Sequence, residues 1–206
     1  MKPETPRISE YLTPVYEWPD EDELDCSLFE DLDLPNEDMH GREFNGCILR
    51  RCRLNNADLR RASFVDVVFD HCDLSGVRME DVVCQRVRFD NCRMTGADMI
   101  SAVLRNTVIA SGKADYLNLS GAKLDHVLMD HLNMQEAALE GCTLRQVEIK
   151  DCDLTRTTIA QTPMKGVDLR SDVLDGIIVG IGDLRGMIVT AEQAADLARL
   201  LGLVIR

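Results

Sequence analysis

The sequence predicts a solenoid, a short structural unit repeated and stacked along one axis, and three observations predict it. Every fifth residue from Phe44 to Leu184 is large and apolar in one unslipped frame: of 29 positions, 27 are Leu, Phe, Met, Ile or Val, the exceptions being Cys84 and Ala114. Only about a third would fit by chance at ordinary composition, so the period is real. A second frame, two residues earlier, runs Cys47, Cys52, Ala57, Ala62, Val67 and on to Val167, and holds small residues at 23 of its 25 positions, with only Leu117 and Leu132 large. The third observation is the period itself. A helix places apolar residues near every 3.6 and a regular strand every 2.0, so a strict five needs a unit that turns a corner and repeats. One such unit cannot bury its own apolar side chain, so units must stack.

Within that frame the triplets Ala57-Asp58-Leu59, Cys72-Asp73-Leu74, Ala97-Asp98-Met99, Cys152-Asp153-Leu154 and Val167-Asp168-Leu169 stand out. They resemble the A-(D/N)-L-x-x unit of pentapeptide-repeat proteins, and the resemblance covers about residues 44–186. It implies an all-β solenoid: a right-handed quadrilateral β-helix with four pentapeptides, about 20 residues, in each coil. At a strand spacing of about 4.8 Å, residues 44–184 then make about seven coils and a rod on the order of 34 Å long. Phe44, Phe64, Cys84, Leu104, Leu124, Leu144, Met164 and Leu184 are expected to stack on one corner of the core, and Leu49, Phe69, Phe89, Ile109, Met129, Ile149 and Leu169 on the next.

Taken in chain order, residues 1–27 read as an acidic N-terminal arm or partial cap. They hold Pro3, Pro6, Pro14 and Pro19 and no clear repeat. Residues 28–189 read as the β-helix, with an irregular first coil beginning somewhere in 28–44. The large frame can be traced back through Leu24, Phe29, Leu34 and Met39, but the small frame cannot. Residues 109–117 are the weakest stretch, because Ala114 is small where a large residue belongs and Leu117 is large where a small one belongs. Two readings remain open there: packing compensation between neighbours, or a surface kink presenting Asp115 and Tyr116. Residues 190–206 read as a C-terminal helix and apolar tail. Thr190-Ala191-Glu192-Gln193 fits a capping box, Ala194, Leu197, Ala198 and Leu201 follow at helical spacing, and Gly202 is a stop signal. The tail is Leu203-Val204-Ile205.

The formal net charge is −13, and residues 1–46, with 3 Lys/Arg against 14 Asp/Glu, carry −11 of it. The acidity is thus mostly N-terminal, which argues against direct nucleic-acid binding by that end, since phosphates repel it. No apolar run is long enough to span a membrane and the N-terminus lacks a signal-peptide core, so a cytoplasmic location is expected. Of eight cysteines, Cys47, Cys52, Cys72, Cys92, Cys142 and Cys152 fall in the small inward frame and Cys84 in the large one, leaving Cys26 outside. No C-x-x-C pair supports zinc, and cysteine reads as a small reduced core residue.

An enzyme needs a concave site with converging polar groups, and a filled rod offers none, so no catalytic, cofactor or metal residue is expected. His71, His126 and His131 fall two residues after large core positions and point outward. The surface columns carry more information. One face reads Asp70, Asp90, Ala110 and Asp130, with Asp151 beside Lys150, and its neighbour reads Arg105, Asp125, Arg145, Lys165 and Arg185. This is either an ordinary solvated surface or a binding face, for which Asp70, Asp90, Asp130, Asp151, Asp115 and Tyr116 are the candidate partner-binding residues. The C-terminal helix either simply caps its own rod or also joins two copies through Leu197, Leu201, Leu203, Val204 and Ile205.

The resemblance is strongest, in length, unbroken repeats and C-terminal helix, to the quinolone-resistance members of the family, which act on DNA gyrase and topoisomerase IV and dimerise through this end. It implies a non-enzymatic, DNA-mimicking acidic rod, a homodimer, that protects a type II topoisomerase from quinolones. A general protein-interaction scaffold of unknown partner is the alternative, and self-immunity to a gyrase-directed toxin a third.

Overall fold

A left-handed backbone residue at nearly every fifth position is what turns this chain into a coil. The computed structural model describes residues 2–200 and 202–205, and positive φ recurs at Gly46, Arg51, Asn56, Arg61, Asp66, His71, Gly76, Asp81 and onward to Gln161. Each lies two residues after a position of the large frame. The corners therefore fall at these outward positions, and the large residues sit mid-side between them rather than on the corners expected from the sequence. The physical reason is steric: the αL conformation crowds a Cβ, and Gly, Asn, Asp and His bear it best. Those residue types fill much of the corner register, and Arg, Ser, Gln, Tyr116 and Glu136 take the remainder.

The chain forms a parallel β-solenoid of about 8 turns closed by one short helix. Short strands open it: β1 (Thr13–Val15), β2 (Glu23–Asp25), β3 (Ser27–Glu30), β4 (Glu43–Asn45) and β5 (Ile48–Arg50). Five eight-residue strands follow, β6 (Ser63–Asp70), β7 (Val83–Asp90), β8 (Val103–Ala110), β9 (Lys123–Asp130) and β10 (Thr143–Lys150). Each bends through a corner at its middle, as at Asp66 with φ 56°, and so covers two sides. The other two sides carry single bridges, such as Arg53 to Asp73 to Arg93 and Asp58 to Arg78 to Asp98. Beyond Lys150 the strands shrink to β11 (Thr158–Ile159) and β12 (Ile178–Val179), and α1 (Ala191–Leu200) ends the fold.

Strand register confirms the expected stacks. Phe44, Phe64, Cys84, Leu104, Leu124 and Leu144 pair in one column, and Leu49, Phe69, Phe89, Ile109, Met129 and Ile149 in the next. Rings stack where both members are aromatic: Phe44 on Phe64 and Phe69 on Phe89, each with centroids 4.8 Å apart. Each buried large side chain contributes roughly 1.5–3 kcal/mol, which opposes the entropy of ordering and the cost of the corners. At the small inward positions a thiol or hydroxyl donates to the carbonyl of the coil below, as Cys72 Sγ does to Leu49 O at 3.3 Å and Thr162 Oγ1 to Leu139 O at 2.6 Å. All eight cysteines are free thiols, and only Cys26 is exposed.

Coiling begins earlier than residues 28–44. β1 pairs with β3 and β2 with β4, so part of the segment read as an arm belongs to the solenoid. Trp18 packs on the large residues of this first coil, its ring 5.4 Å from Phe29 and 6.2 Å from Phe44, with Arg42 over its ring. Residues 109–117 hold their register, and Ala114 and Leu117 are both fully buried. A second exchange lies beside them. Gly112 stands in the column of Cys92 and Leu132, and a Cβ there would meet Cys92 O at 2.5 Å and lie 3.5 Å from Leu132. The irregularity is packing compensation and not a kink.

The arm proper, residues 2–10, runs back along the outside of the rod. The Glu4 N–H donates to Asn106 Oδ1 at 3.2 Å and the Arg7 N–H to Asp66 Oδ1 at 2.9 Å.

Candidate functional site

Because the interior is filled, chemistry is confined to the faces and ends of the rod. The column predicted to be acidic runs Arg50, Asp70, Asp90, Ala110, Asp130, Lys150 in strict register, and its carboxylates are matched by cations. Asp70 accepts from Arg50 Nε at 3.2 Å and contacts His71 Nδ1 at 2.6 Å. Burial pushes the Asp70 carboxyl up, but His71 and Arg50 outweigh it and hold the group below its usual range. Asp90 is held by Arg88, and Asp130 by His131 at 2.8 Å. The column is thus a ladder of ion pairs with little free negative charge. Charges one coil apart pair on other faces too, as in Arg51 with Asp31, Arg86 with Asp66 and Arg156 with Glu136. Their sequence signal is opposite charge at a separation of 20 residues, visible only once the coil length is fixed.

Asp130, His131 and Asp151 are the one group of potential metal ligands among the described residues. His131 takes its place as a corner residue with φ 54°. Its Nδ1 faces Asp130 and its Nε2 lies 3.9 Å from Asp151. The hydrogen bond to Asp130, with the charge of Asp151, raises the pKa of the ring. The same Asp-His step recurs at Asp70-His71 and Asp125-His126. The step is therefore a corner device in which the preceding Asp steadies the αL histidine.

Asp115 accepts from Thr95 Oγ1 at 2.9 Å. Tyr116 stands at a corner with φ 60°, is 55% exposed, and reaches Glu136 through its hydroxyl at 3.3 Å. They are the surface of a regular coil, and the aspartate column lies on another side.

At the C-terminal end the capping box forms as expected: the Thr190 N–H donates to Gln193 Oε1 at 2.8 Å and the Gln193 N–H to Thr190 Oγ1 at 3.1 Å. Gln193 does more than cap, since its Nε2 donates to Leu169 O and Asp172 O, both at 2.8 Å, and ties the helix to the last coils. Leu197 is buried against the chain's own core, so it serves the cap. Leu203, Val204 and Ile205 are exposed, as are Ile178 and Ile181 of the terminal coils. Leu201 lies outside the described residues.

The N-terminal end is where unpaired negative charge collects. Glu23 and Glu43 sit directly over one another in register, with exposed Asp20, Glu21 and Asp22 before them. Among the described residues none of these five carboxylates makes an ion pair. Like charges placed opposite each other in a sheet repel, so this end is held by the Trp18–Phe29–Phe44 cluster beneath it.

The model of the pentapeptide repeat region matches residues 42–119 and, overlapping them, 82–159. The chain belongs to the pentapeptide-repeat family. Among solved structures of pentapeptide-repeat proteins the chain is similar to a trypsin-treated form of QnrB1, described as a plasmid-mediated fluoroquinolone resistance protein, at 22% identity over 89% of each chain and a TM-score of 0.44. It is also similar to HetL, described as involved in heterocyst differentiation regulation, from the cyanobacterium Nostoc sp., at 16% identity over 80% of this chain and 90% of that one, with a TM-score of 0.36. A third, from the thylakoid lumen of Arabidopsis thaliana, is 14% identical over 62% of this chain and 68% of that one, with a TM-score of 0.38. A comparison with curated proteins finds no match. Among the described residues no helix is long and apolar enough to cross a membrane.

Proposed function

We propose that this pentapeptide-repeat protein is a non-enzymatic, cytoplasmic binding rod whose partner is another protein, and that the partner is a type II DNA topoisomerase, gyrase or topoisomerase IV, which it protects from quinolones. The observation that carries the reading is the unpaired carboxylate group at the N-terminal end: Glu23 over Glu43, with Asp20, Glu21 and Asp22 exposed beside them. A topoisomerase surface built for DNA attracts dense negative charge, and duplex DNA carries one charge per about 1.7 Å. Of residues 1–46, Glu30, Asp31 and Asp33 are paired by Arg50, Arg51 and Arg53 of the next coil, which leaves Asp20, Glu21, Asp22, Glu23 and Glu43 as the dense negative group, whereas the Asp70–Asp90–Asp130 column is neutralised by its own neighbours. The same charge disfavours direct nucleic-acid binding. The unbroken repeats and the C-terminal helix, which resemble those of the quinolone-resistance members of the family, support this target. The exposed Leu203-Val204-Ile205 tail supports a homodimer through the C-terminus, with Leu197 already committed to the core and the tail left for the contact.

The decisive experiment is a gyrase supercoiling assay with purified protein, with and without a fluoroquinolone. Rescue of supercoiling at micromolar protein or below establishes protection. The E23Q/E43Q variant should lose it, and D70N/D90N/D130N should keep it. Absence of both rescue and inhibition at tens of micromolar rejects the topoisomerase reading and leaves the second one, a general interaction scaffold, which the ladder of exposed ion-pair faces favours.

A further inference from the structure

The rod has one face that its own chain already occupies. At three of the four corners, positive-φ residues such as Arg51, Asn91, Arg61, Asp81 and Asn56 stand exposed. At the fourth corner the column Gly46, Asp66, Arg86, Asn106 and His126 is buried or half-buried. The Asp66–Arg86 pair beneath the arm has side-chain exposures of only 11% and 15%. Burial pushes the Asp66 carboxyl up, but Arg86 and the Arg7 N–H outweigh this and hold it below its usual range.

The arm fits this column by arithmetic. Pro3 and Pro6 fix their own φ and push Lys2 and Thr5, which precede them, into extended backbone, so residues 2–7 are set for polyproline II geometry. That helix advances about 3.1 Å per residue, so about 9.3 Å in three residues. Coils advance about 4.8 Å each, so about 9.6 Å in two. The two arm donors, Glu4 and Arg7, are three residues apart, and their acceptors, Asn106 and Asp66, are two coils apart. Each donor is the residue directly after a proline, and Pro3 and Pro6 themselves are half-buried against the rod. Glu4 and Arg7 also pair with each other across that single turn, at 3.1 Å.

From this match we infer that the Asp66–Arg86–Asn106 corner is a docking track for extended proline-containing peptides of the form Pro-x-x-Pro, and that residues 2–10 are an intramolecular ligand covering it. Recognition is through main-chain N–H groups, so the track reads the spacing of the prolines and the backbone behind them. The x positions are left to the partner. Gln146, two coils beyond Asn106 on the same corner, is exposed and offers the next acceptor to a longer peptide. A partner protein carrying such a segment must displace the arm, which competes in cis at an effective concentration of about millimolar for a short tether. This surface is distinct from the acidic end, and the inference stands whether or not the partner is a topoisomerase.

Two measurements on the full-length chain test it. In wild-type protein, amide hydrogen exchange should be slow at Glu4 and Arg7 and fast at Thr5 and Ile8, a three-residue pattern. The P3G/P6G variant should lose that pattern while exchange in the core strands is unchanged. A synthetic peptide of the sequence Lys2–Glu10 added to P3G/P6G should then shift the NMR signals of Asp66, Arg86 and Asn106, at a concentration at least ten-fold lower than wild type requires. Uniformly fast exchange along the wild-type arm overturns the inference. So does a protection pattern that changes with protein concentration, which would assign the arm to a second copy. Equal binding of the peptide by both proteins, or no binding by P3G/P6G at millimolar peptide, also overturns it.

Discussion

The coils from Ser63 to Lys150 and those from Asp151 to Val189 are built on the same five-residue template, yet they differ in kind. In the first region the strands run eight residues and pair end to end. In the second they shrink to two. The large frame does not explain this, because it stays apolar throughout. A missing backbone donor does: Pro163 stands where Thr143 and Lys123 open the paired strands β10 and β9, and it has no N–H for the ladder. The small inward position also changes, being Cys, Ala or Val through most of the first region and including Thr157, Thr162 and Asp172 in the second, all buried. The hydroxyls fit, because each repeats the thiol's bond to the coil below, as Thr157 does to Met134 O at 2.7 Å. Asp172 fits only in part: Oδ1 takes the Cys152 N–H at 2.8 Å, but Oδ2 is buried without a partner. Aromatic stacking is also one-sided, since all five phenylalanines lie at or before Phe89. Regularity thus depends on an unbroken row of backbone donors, and the C-terminal coils lean on Gln193 and Leu197 of the cap instead.

That contrast can be broken most severely at Phe69. Phe69→Ala removes a ring stacked at 4.8 Å on Phe89 and set edge-on to Phe64 at 5.4 Å, and should cost about 3–5 kcal/mol. Met164→Ala, in the less regular coils, should cost about 2 kcal/mol. Equilibrium urea unfolding of both compares them, and equal losses would show that stacking adds nothing to burial. A smaller loss is expected for Gly112→Ala, whose Cβ meets a backbone carbonyl at 2.5 Å. The expected cost is about 1–3 kcal/mol, with the hydrogen-exchange loss centred on the coils of Cys92 and Leu132.

Asp172→Thr should move the other way and make the terminal coils resemble the middle ones. Thr162 already fills the equivalent role, accepting the Cys142 N–H at 2.9 Å through Oγ1. Removing the unpartnered oxygen should gain about 1 kcal/mol at neutral pH. Burial raises the Asp172 carboxyl above its ordinary 3.8. The unfolded chain therefore releases this proton first, and the wild type loses stability as pH rises through the folded value. The gain from the variant should be largest at neutral pH and shrink as pH falls through 3.8, measured as the difference in melting temperature. The mildest test leaves stability untouched. Native-state alkylation should label Cys26 alone, because the core thiols are buried and their pKa values are raised, to about 12 for Cys72 and about 11 for Cys142. Early labelling of Cys142 or Cys152 would reveal that the terminal coils open on their own.

Most of the fold was legible because stacking imposes one rule on every coil. A frame of 27 large residues in 29 positions fixes both the register and the columns. The corners were less legible, since the αL residue lies outside the apolar pattern and admits Arg86 and Gln146 as well as Asn and Gly. The charge faces were only partly legible for a related reason. Reading Asp70, Asp90 and Asp130 as a column leaves out Arg88, two residues before Asp90 on the same strand, and His71 and His131, which follow their aspartates at the corners. The start of the solenoid escaped the pattern because its small-frame positions hold Asp22, Ser27, Leu32, Glu37 and Arg42, and Trp18 packs on Phe29 from outside the frame. The arm's docking was written in the Pro3–Pro6 spacing, but its acceptors serve first as corner residues, and nothing local marks them for a second use.

The bond from Glu4 to Asn106 spans 102 positions, whereas the coil-to-coil bonds span about 20. Neighbour-only stacking lets a solenoid assemble progressively as it is synthesised, but this bond must wait. Residues 4 to 7 are made long before their acceptors: Arg7 can settle once the coil of Asp66 has closed, and Glu4 only after that of Asn106. The strap is therefore a record of completed length: a chain halted between those coils carries its arm fastened at one point, with the Glu4 donor open to whatever is nearby.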